Sequence, residues 1–201
     1  MDASVAKPAR MTADERREQL LDVTKAIVAE HGFHGVSIEA VARQAGISRP
    51  IVYEHFGDLA GLLEALITRE SDRALAQLAE VLPTDLFGGD PAEQLLAGLR
   101  GYLQAVRADP VTWRLVLMPQ EGAPRMLHDQ IARGRMAVVN QLADAMGTAS
   151  GPGPESPDPE LTAWTLSAFA DEAARLLLTD PERYPVDRIL AHARWVLGQL
   201  P

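Results

Sequence analysis

The chain has 201 residues, 47% of them hydrophobic, with a formal net charge of −9: enough apolar surface for one generous domain or two small ones, but too acidic to hold nucleic acid through overall electrostatics, so any DNA contact has to be local and shape-matched. It contains no cysteine, which excludes a disulfide framework and a thiolate metal site. The leading stretch MDASVAKPARMTADERREQLL lacks the apolar centre of a signal peptide, and no apolar run is long enough to span a bilayer, so the expected location is the cytoplasm, away from membranes.

Leu, Ala, Arg and Glu recur at helical spacing, strand-like alternation is scarce and no Asn-Gly hairpin signal occurs, so the expected class is all-α with about nine helices. Met1 to Met11 is polar and expected to be a flexible leader. Thr12 and Glu15 form the S/T-x-x-E capping box that opens a helix, and Leu20, Val23, Thr24, Ile27 and Val28 mark its buried stripe as far as His31-Gly32. Ser37 is the next N-cap, followed by Ile38, Val41, Ala42 and Ala45, and Gly46 ends this short second helix in a left-handed conformation.

Ser48 is expected to cap a third helix, with Pro50 in its first turn where a missing amide hydrogen does no harm. Val52 and Phe56 point one way; Arg49, Pro50, Tyr53 and Glu54 fall on the opposite side. Asp58 caps a fourth helix with the stripe Leu59, Leu62, Leu63, Leu66 and Ile67, continuing to about Leu82, and Pro83 to Asp90 reads as a loop. Five more helical segments are expected near 91–108, 111–117, 122–147, 159–179 and 185–200, with the Gly-, Pro- and Ser-rich run GTASGPGPESPDP as an irregular loop.

Two short helices joined by a tight turn at Gly46-Ile47, the second carrying a polar and aromatic outer face, make the helix-turn-helix pattern, in which the second helix enters the major groove of double-stranded DNA. Arg49 can donate two hydrogen bonds to guanine, Pro50 and Ile51 can meet a thymine methyl, and Tyr53 and His55 can reach phosphates. Read without that pattern, Gly46 merely ends a helix and Arg49 is a solvated charge.

The run LLDVTKAIVAEHGFHGVSIEAVARQAGISRPIVYEHFGDLAGLLEAL, Leu20 to Leu66, resembles the DNA-binding domain of the TetR family of bacterial repressors. The marks are Gly32-Phe33 with Gly35, the Ile38-Val41-Ala42 stripe, Ala45-Gly46-Ile47-Ser48, and Tyr53-x-His55-Phe56 followed by Leu62-Leu63. The resemblance implies a homodimeric, ligand-responsive transcription regulator. Residues 1–57 would form the DNA-binding domain, and 58–201 a helical domain that binds a small-molecule effector and dimerises through its last two helices. Ser37, Ser48, Arg49, Pro50, Ile51, Tyr53 and His55 would then be the DNA-facing set, with no cofactor or metal required.

Two positions depart from the family pattern. Leu59 stands three residues after the His-Phe pair, where members commonly place a phosphate-binding lysine, and Glu39 puts a negative charge on the second helix. Residues 1 to 60 carry 7 basic against 9 acidic side chains, a balance of −2, which implies fewer phosphate contacts than usual; Lys7 and Arg10 in the leader can compensate by reaching a minor groove. The same two departures are the best support for an alternative, a helix-turn-helix adaptor that has lost specific DNA binding and works through protein contacts.

In the remaining two thirds, Phe87, Tyr102, Trp113, Leu117, Met118, Met126 and Phe169 are the large or soft side chains available to line a pocket for an apolar effector. Arg133, Arg135, His128 or Asp171 can pair with a polar group on it. The eighth helix carries Leu161, Trp164, Leu166, Ala168, Phe169, Ala173, Leu176, Leu177 and Leu178, more than one inward face absorbs. In the ninth, Val186, Ile189, Leu190, Ala193, Val196, Leu197 and Leu200 read as the inward stripe, while Trp195 falls outside it beside His192 and Gln199. Trp164, Leu176, His192, Trp195 and Gln199 are therefore the expected dimer contacts, giving a two-fold four-helix bundle that sets two recognition helices about one DNA turn apart. No HExxH, no His pair at i, i+4, no G-x-S-x-G turn and no phosphate-binding Gly loop occurs, so neither an enzyme nor a metal protein is expected.

Overall fold

The computed structural model describes residues 11–81, 90–119, 123–149 and 158–198. Lys7 and Arg10 of the leader, Phe87, Gln199, and most of the loops expected after Leu82 and Gly147 lie outside them. Among the described residues the structure is entirely helical: α1 (Ala13–His31), a 3-10 turn (Phe33–Gly35), α2 (Ile38–Ala45), α3 (Arg49–Phe56), α4 (Leu59–Val81), α5 (Pro91–Ala108), α6 (Pro110–Leu117), α7 (Arg125–Ala149), α8 (Pro159–Thr179) and α9 (Val186–Leu197). None of these helices is long and apolar enough to cross a membrane. The chain forms two compact units, Met1–Leu66 and Ile67–Pro201, and α4 begins in the first and continues in the second.

In the first unit the capping box is present as read: the Thr12 hydroxyl accepts from the Glu15 amide at 3.2 Å, and the Glu15 carboxylate accepts from the Thr12 amide at 2.7 Å. The Thr12 amide bonded to the charged carboxylate, with a smaller contribution from the Thr12 hydroxyl, holds the Glu15 carboxyl below the ordinary value. Leu20, Leu21, Thr24, Ile27 and Val28 of α1 are buried, as are Val41 on α2, Val52 and Phe56 on α3, and Leu62 and Leu66 at the start of α4. Thr24 sits in this core because its hydroxyl donates back to the Leu20 carbonyl at 2.7 Å, leaving only its methyl to be packed.

The turn between α2 and α3 is a Schellman motif. Gly46 has φ +69°, its amide donates to Arg43 O, and the Ile47 amide reaches Ala42 O at 3.0 Å, so the helix ends within a single left-handed residue. The α3–α4 corner is as tight. Asp58 caps α4 by accepting from the Gly61 amide at 2.8 Å, and a Cβ at Gly61 would lie 2.2 Å from the Phe56 carbonyl oxygen.

The second unit starts its helices by a repeated device. Asp90, Asp109 and Asp158 each precede a proline and cap α5, α6 and α8 through a carboxylate accepting backbone amides of the first turn. The proline takes an N-terminal position whose amide has no helical partner in any case. Within the unit α8 packs against α5, α6 and α7, and α5 also meets α9. The main core joins Leu96, Tyr102, Leu103 and Val106 of α5, Trp113 and Leu117 of α6, Ala173, Ala174, Leu177 and Leu178 of α8, and Val186, Ile189, Leu190 and Ala193 of α9.

The Phe56–Gly61 contact leaves no room for a methyl. Gly61→Ala is expected to force the α3–α4 corner open and to lower the unfolding free energy by about 1–3 kcal/mol, seen as a lower urea midpoint by circular dichroism. An unchanged midpoint would mean that the corner relaxes freely.

Candidate functional site

On α3, burial divides the helix into two faces. Val52 and Phe56 are inside, while Arg49, Pro50 and Tyr53 are exposed and Ile51 and His55 are half-buried, with Tyr53 50% exposed. The helix is held at its far end by Arg17 of α1, whose guanidinium donates to the His55 carbonyl at 3.0 Å and lies 4.6 Å from the centre of the Phe56 ring. One side chain thus fixes both the backbone and the anchoring aromatic of α3, which orients the outer face as a rigid body.

Ser37 caps α2 as expected, its hydroxyl accepting from the Ala40 amide at 3.0 Å. Ser48 corrects an expectation. It occupies the N-cap position of α3 with extended backbone, yet its side chain makes no capping bond. The usual donors are the second and third helical amides; here the second residue is Pro50, which has none, and the third, Ile51, donates to the Ser48 carbonyl at 3.1 Å. The Ser48 hydroxyl is left on the exposed rim beside Arg49.

Arg49 carries a partner that sequence reading did not assign. Its Nη2 lies 2.8 Å from Oε2 of Glu39 on α2, and both side chains remain more than half exposed. The acidic residue that looked misplaced against DNA therefore steadies the arginine next to it. The clue was available: opposite charges in the first turns of two helices joined by a three-residue turn.

In the second unit α4 to α9 line an apolar cavity of about 200 Å³ that is partly open to solvent. Of the expected lining residues, Tyr102, Trp113, Leu117 and Phe169 border it. Met118 and Met126 are not among its walls: Met118 follows the last residue of α6 and turns outward, 39% exposed. The walls that sequence reading missed are α4, through Ser71, Ala74, Leu75 and Leu78, and α7, through Ile131, Gly134, Val138 and Leu142, none of which is a conspicuously large side chain.

Two buried aromatics make one end of the cavity. Tyr102 and Trp113 meet edge to face with centroids 5.1 Å apart, a favoured arrangement. Trp113 donates its indole N–H to Gln77 Oε1 on α4 at 2.8 Å. Burial pushes the Tyr102 phenol well above its ordinary value, and the neighbouring Asp171 carboxylate pushes the same way; the phenol stays protonated and donates to Asp171 Oδ1 at 3.4 Å. Of the four polar residues considered for a ligand, Arg135 and Asp171 border the cavity and are ion-paired with each other; Arg133 and His128 are not in its wall.

The cavity is tied to α4 by a polar ladder from the start of α6. Besides the Trp113–Gln77 bond, Arg73 Nε lies 2.8 Å from Asp109 Oδ2, and the Thr112 hydroxyl donates to the Glu70 carboxylate. Glu70, Arg73 and Gln77 lie at i, i+3 and i+7 on α4, one helix face. Glu70 is 2% exposed, its charge matched by Arg69 at 2.8 Å.

On the last two helices Leu161 is 65% exposed and Trp195 61%. Trp195 stacks on His192 with centroids 5.9 Å apart and planes 20° from parallel. Val196, expected on the inward stripe, is instead at the exposed edge, whereas Val186, Ile189, Leu190 and Ala193 are buried. Trp164 packs half-buried against the cluster of Val139, Leu142 and Ala163, and Leu176 is also half-buried.

A helix-turn-helix whose second helix is clamped from behind and polar in front, followed by a helical unit with an internal cavity, defines a DNA-binding transcription regulator. Residues 20–66 match the family model described as bacterial regulatory proteins, tetR family, and the chain belongs to that family. It is 25% identical over 179 residues to the HTH-type transcriptional activator FasR of Mycolicibacterium smegmatis, covering 89% of this chain and 78% of that protein. Among solved structures it resembles a TetR-like transcriptional regulator from Rhodococcus sp. RHA1, with TM-score 0.72, 24% identity and coverage of 95% of this chain and 100% of that one. It also resembles SmeT of Stenotrophomonas maltophilia in its complex with triclosan, with TM-score 0.70, 23% identity and coverage of 90% and 88%.

Thr112→Val keeps the shape of the α6 start but strips a donor from the buried Glu70 carboxylate. It is expected to reduce stability by about 1–3 kcal/mol in a urea titration followed by tryptophan emission. A loss below about 0.5 kcal/mol, the low end for a single hydrogen bond, would mean that the remaining partners of Glu70 suffice.

Proposed function

We propose that the protein is a ligand-responsive repressor that binds a near-palindromic operator as a homodimer and is released by a small apolar effector. In this reading residues 1–57 read DNA, residues 58–201 bind the effector and dimerise, and the protein acts in the cytoplasm. The observation that carries it is the two-faced α3: Val52 and Phe56 are locked inside while Arg49 and Tyr53 stand exposed on the other side, the arrangement a recognition helix needs to reach base edges. Arg49 is assigned to a guanine, Pro50 and Ile51 to a neighbouring thymine methyl, and Ser37, Ser48, Tyr53 and His55 to phosphates.

The cavity supports the effector half of the proposal, and the SmeT–triclosan complex shows a protein of this fold with a small molecule. The exposed Trp195 and its stacked His192 support a second subunit on α8 and α9, with Trp164 and Leu176 as further contacts. An effector acts only if it favours one spacing of the two DNA-reading domains, because a ligand that binds both equally shifts nothing.

Fluorescence anisotropy on the DNA upstream of the protein's own gene, across a salt series, tests the DNA half. Arg49→Ala is expected to weaken specific binding roughly 5- to 150-fold, the worth of a bidentate guanine contact, and Tyr53→Ala to weaken it too, both with the dimer intact; unchanged affinity in both would overturn the recognition-helix assignment. Glu39→Gln removes a negative charge facing DNA and unclamps Arg49, so binding to random DNA should tighten while discrimination for the operator falls. Equal tightening on both would show that the carboxylate acts as charge alone.

Trp195→Glu places a charge in the proposed subunit interface and should shift sedimentation towards the monomer. A variant that sediments like the wild type would remove Trp195 from the interface.

A further inference from the structure

We infer that the cavity selects an electrically neutral, mainly apolar effector carrying a hydrogen-bonding group, and that this group meets the Ser71 hydroxyl; the inference rests on the reading of the cavity as the effector site. Its walls carry two charged side chains, Arg135 and Asp171, which are opposite in sign and paired with each other. Asp171 also accepts from the Tyr102 phenol at 3.4 Å, and a second guanidinium, Arg175, lies 3.9 Å from it. Arg175 is itself engaged, donating to the Leu117 carbonyl and to Glu172. The lining is therefore neutral, with its one carboxylate already surrounded by donors.

That arrangement opposes a charged ligand of either sign. An anion has to draw Arg135 away from Asp171 and leave the carboxylate with a long phenol bond and a committed guanidinium. A cation has to displace Arg135 from the same carboxylate. Either exchange breaks an existing ion pair to make a new one, so a charged ligand gains no net pairing, and an anion also leaves Asp171, 16% exposed, short of its nearest cation. A neutral ligand disturbs nothing.

Ser71 supplies the polar contact. Ser71 borders the cavity, and its Oγ is buried with no hydrogen-bond partner, a state that native structures rarely leave unexplained. A ligand hydroxyl, carbonyl or ether oxygen satisfies it. The size of the cavity, about 200 Å³, exceeds the roughly 150 Å³ that accommodates benzene in an apolar cavity, so a flexible alkyl chain or a small ring system is of suitable bulk. Ser71 also lies on α4 beside Glu70, on the helix to which α6 is bolted, so the ligand's polar end touches the element that leads to the DNA-reading unit.

The test uses the full-length protein with four probes of one chain length, 1-decanol, 1-chlorodecane, decanoate and decyltrimethylammonium, each below its micellar concentration. Binding is read from Trp113 emission, with Trp113→Phe as the site control, and from thermal melting. The expected result is that 1-decanol binds at least about tenfold more tightly than both charged probes, since either must break the ion pair. Ser71→Ala should weaken 1-decanol several-fold and leave 1-chlorodecane, which offers no hydroxyl, unchanged.

Equal or tighter binding of decanoate or of the ammonium probe would overturn the neutral-ligand inference while leaving the cavity as a ligand site. An unaltered 1-decanol affinity in Ser71→Ala, or an equal loss for both neutral probes, would remove Ser71 as the polar contact. If no probe binds and Trp113 does not respond, the cavity itself fails as an effector site and the inference falls with it, whereas the operator titration still decides the DNA-reading proposal separately.

Discussion

A buried carboxylate organises the second unit. Glu70 sits almost without solvent access on α4, with the Arg69 guanidinium at one side and the Thr112 hydroxyl at the other. A charge in such a place is tolerable only while its partners stay put, so α6 cannot slide along α4 without breaking the ladder that also includes Arg73–Asp109 and Trp113–Gln77. Trp113 is therefore held at a fixed depth, and with Tyr102 it shapes one end of the cavity. Of the residues that line the cavity, Trp113 is held by this ladder and Asp171 by Arg135 and Tyr102.

The first unit solves a different problem, presenting a short helix at a fixed angle with little core to hold it. Eight residues of α3 offer two buried side chains, too few to orient it by packing alone. The Schellman turn at Gly46 fixes where α3 begins, Arg17 fixes where it ends, and Gly61 lets α4 start close against the Phe56 carbonyl. At the surface Glu39 pairs with Arg49, an exposed contact that biases the arginine's rotamers without fixing them. In the proposed DNA-reading role the acidity of this unit has a consequence: fewer phosphate contacts lower the affinity for every sequence, so a greater share of binding has to come from contacts that depend on sequence.

Local chemistry was legible in the chain. Thr12-x-x-Glu15, Ser37, Gly46, Asp58 and the stripe positions of α1 and α2 mark helix starts, stops and inward faces within a few residues, because each depends on atoms less than two turns away. What escaped depends on partners distant in sequence. Asp171 meets Arg135 across 36 positions and Glu70 meets Thr112 across 42, and no spacing rule joins them. The cavity was expected from its largest side chains, yet Ala74, Gly98 and Gly134 also border it; small residues create the space that large ones were expected to line. Ser48 failed as a cap for a local reason, the neighbouring proline, that was visible in Ser48-Arg49-Pro50 itself. Val196 obeyed the periodicity, yet in the last turn of α9 it is Leu197 that packs on the core while Val196 is left at the exposed edge.

The two units share one continuous element, α4, and the chemistry at its two ends differs. Before residue 67 its buried residues are leucines, whose packing tolerates small displacements at small penalty; beyond it Glu70, Arg73 and Gln77 face directional bonds that do not. In the proposed effector role, a ligand entering beside Trp113 and Ser71 meets the part of α4 held by directional bonds, and a hydrogen bond weakens steeply once its geometry is lost, whereas dispersion contacts fade gradually. A coupling free energy of one to three kcal/mol, the usual range for communication between sites, is comparable with the net worth of one or two of the ladder's bonds. Moving α4 against α6 at residues 70–77 therefore means giving up whole bonds rather than loosening many contacts slightly.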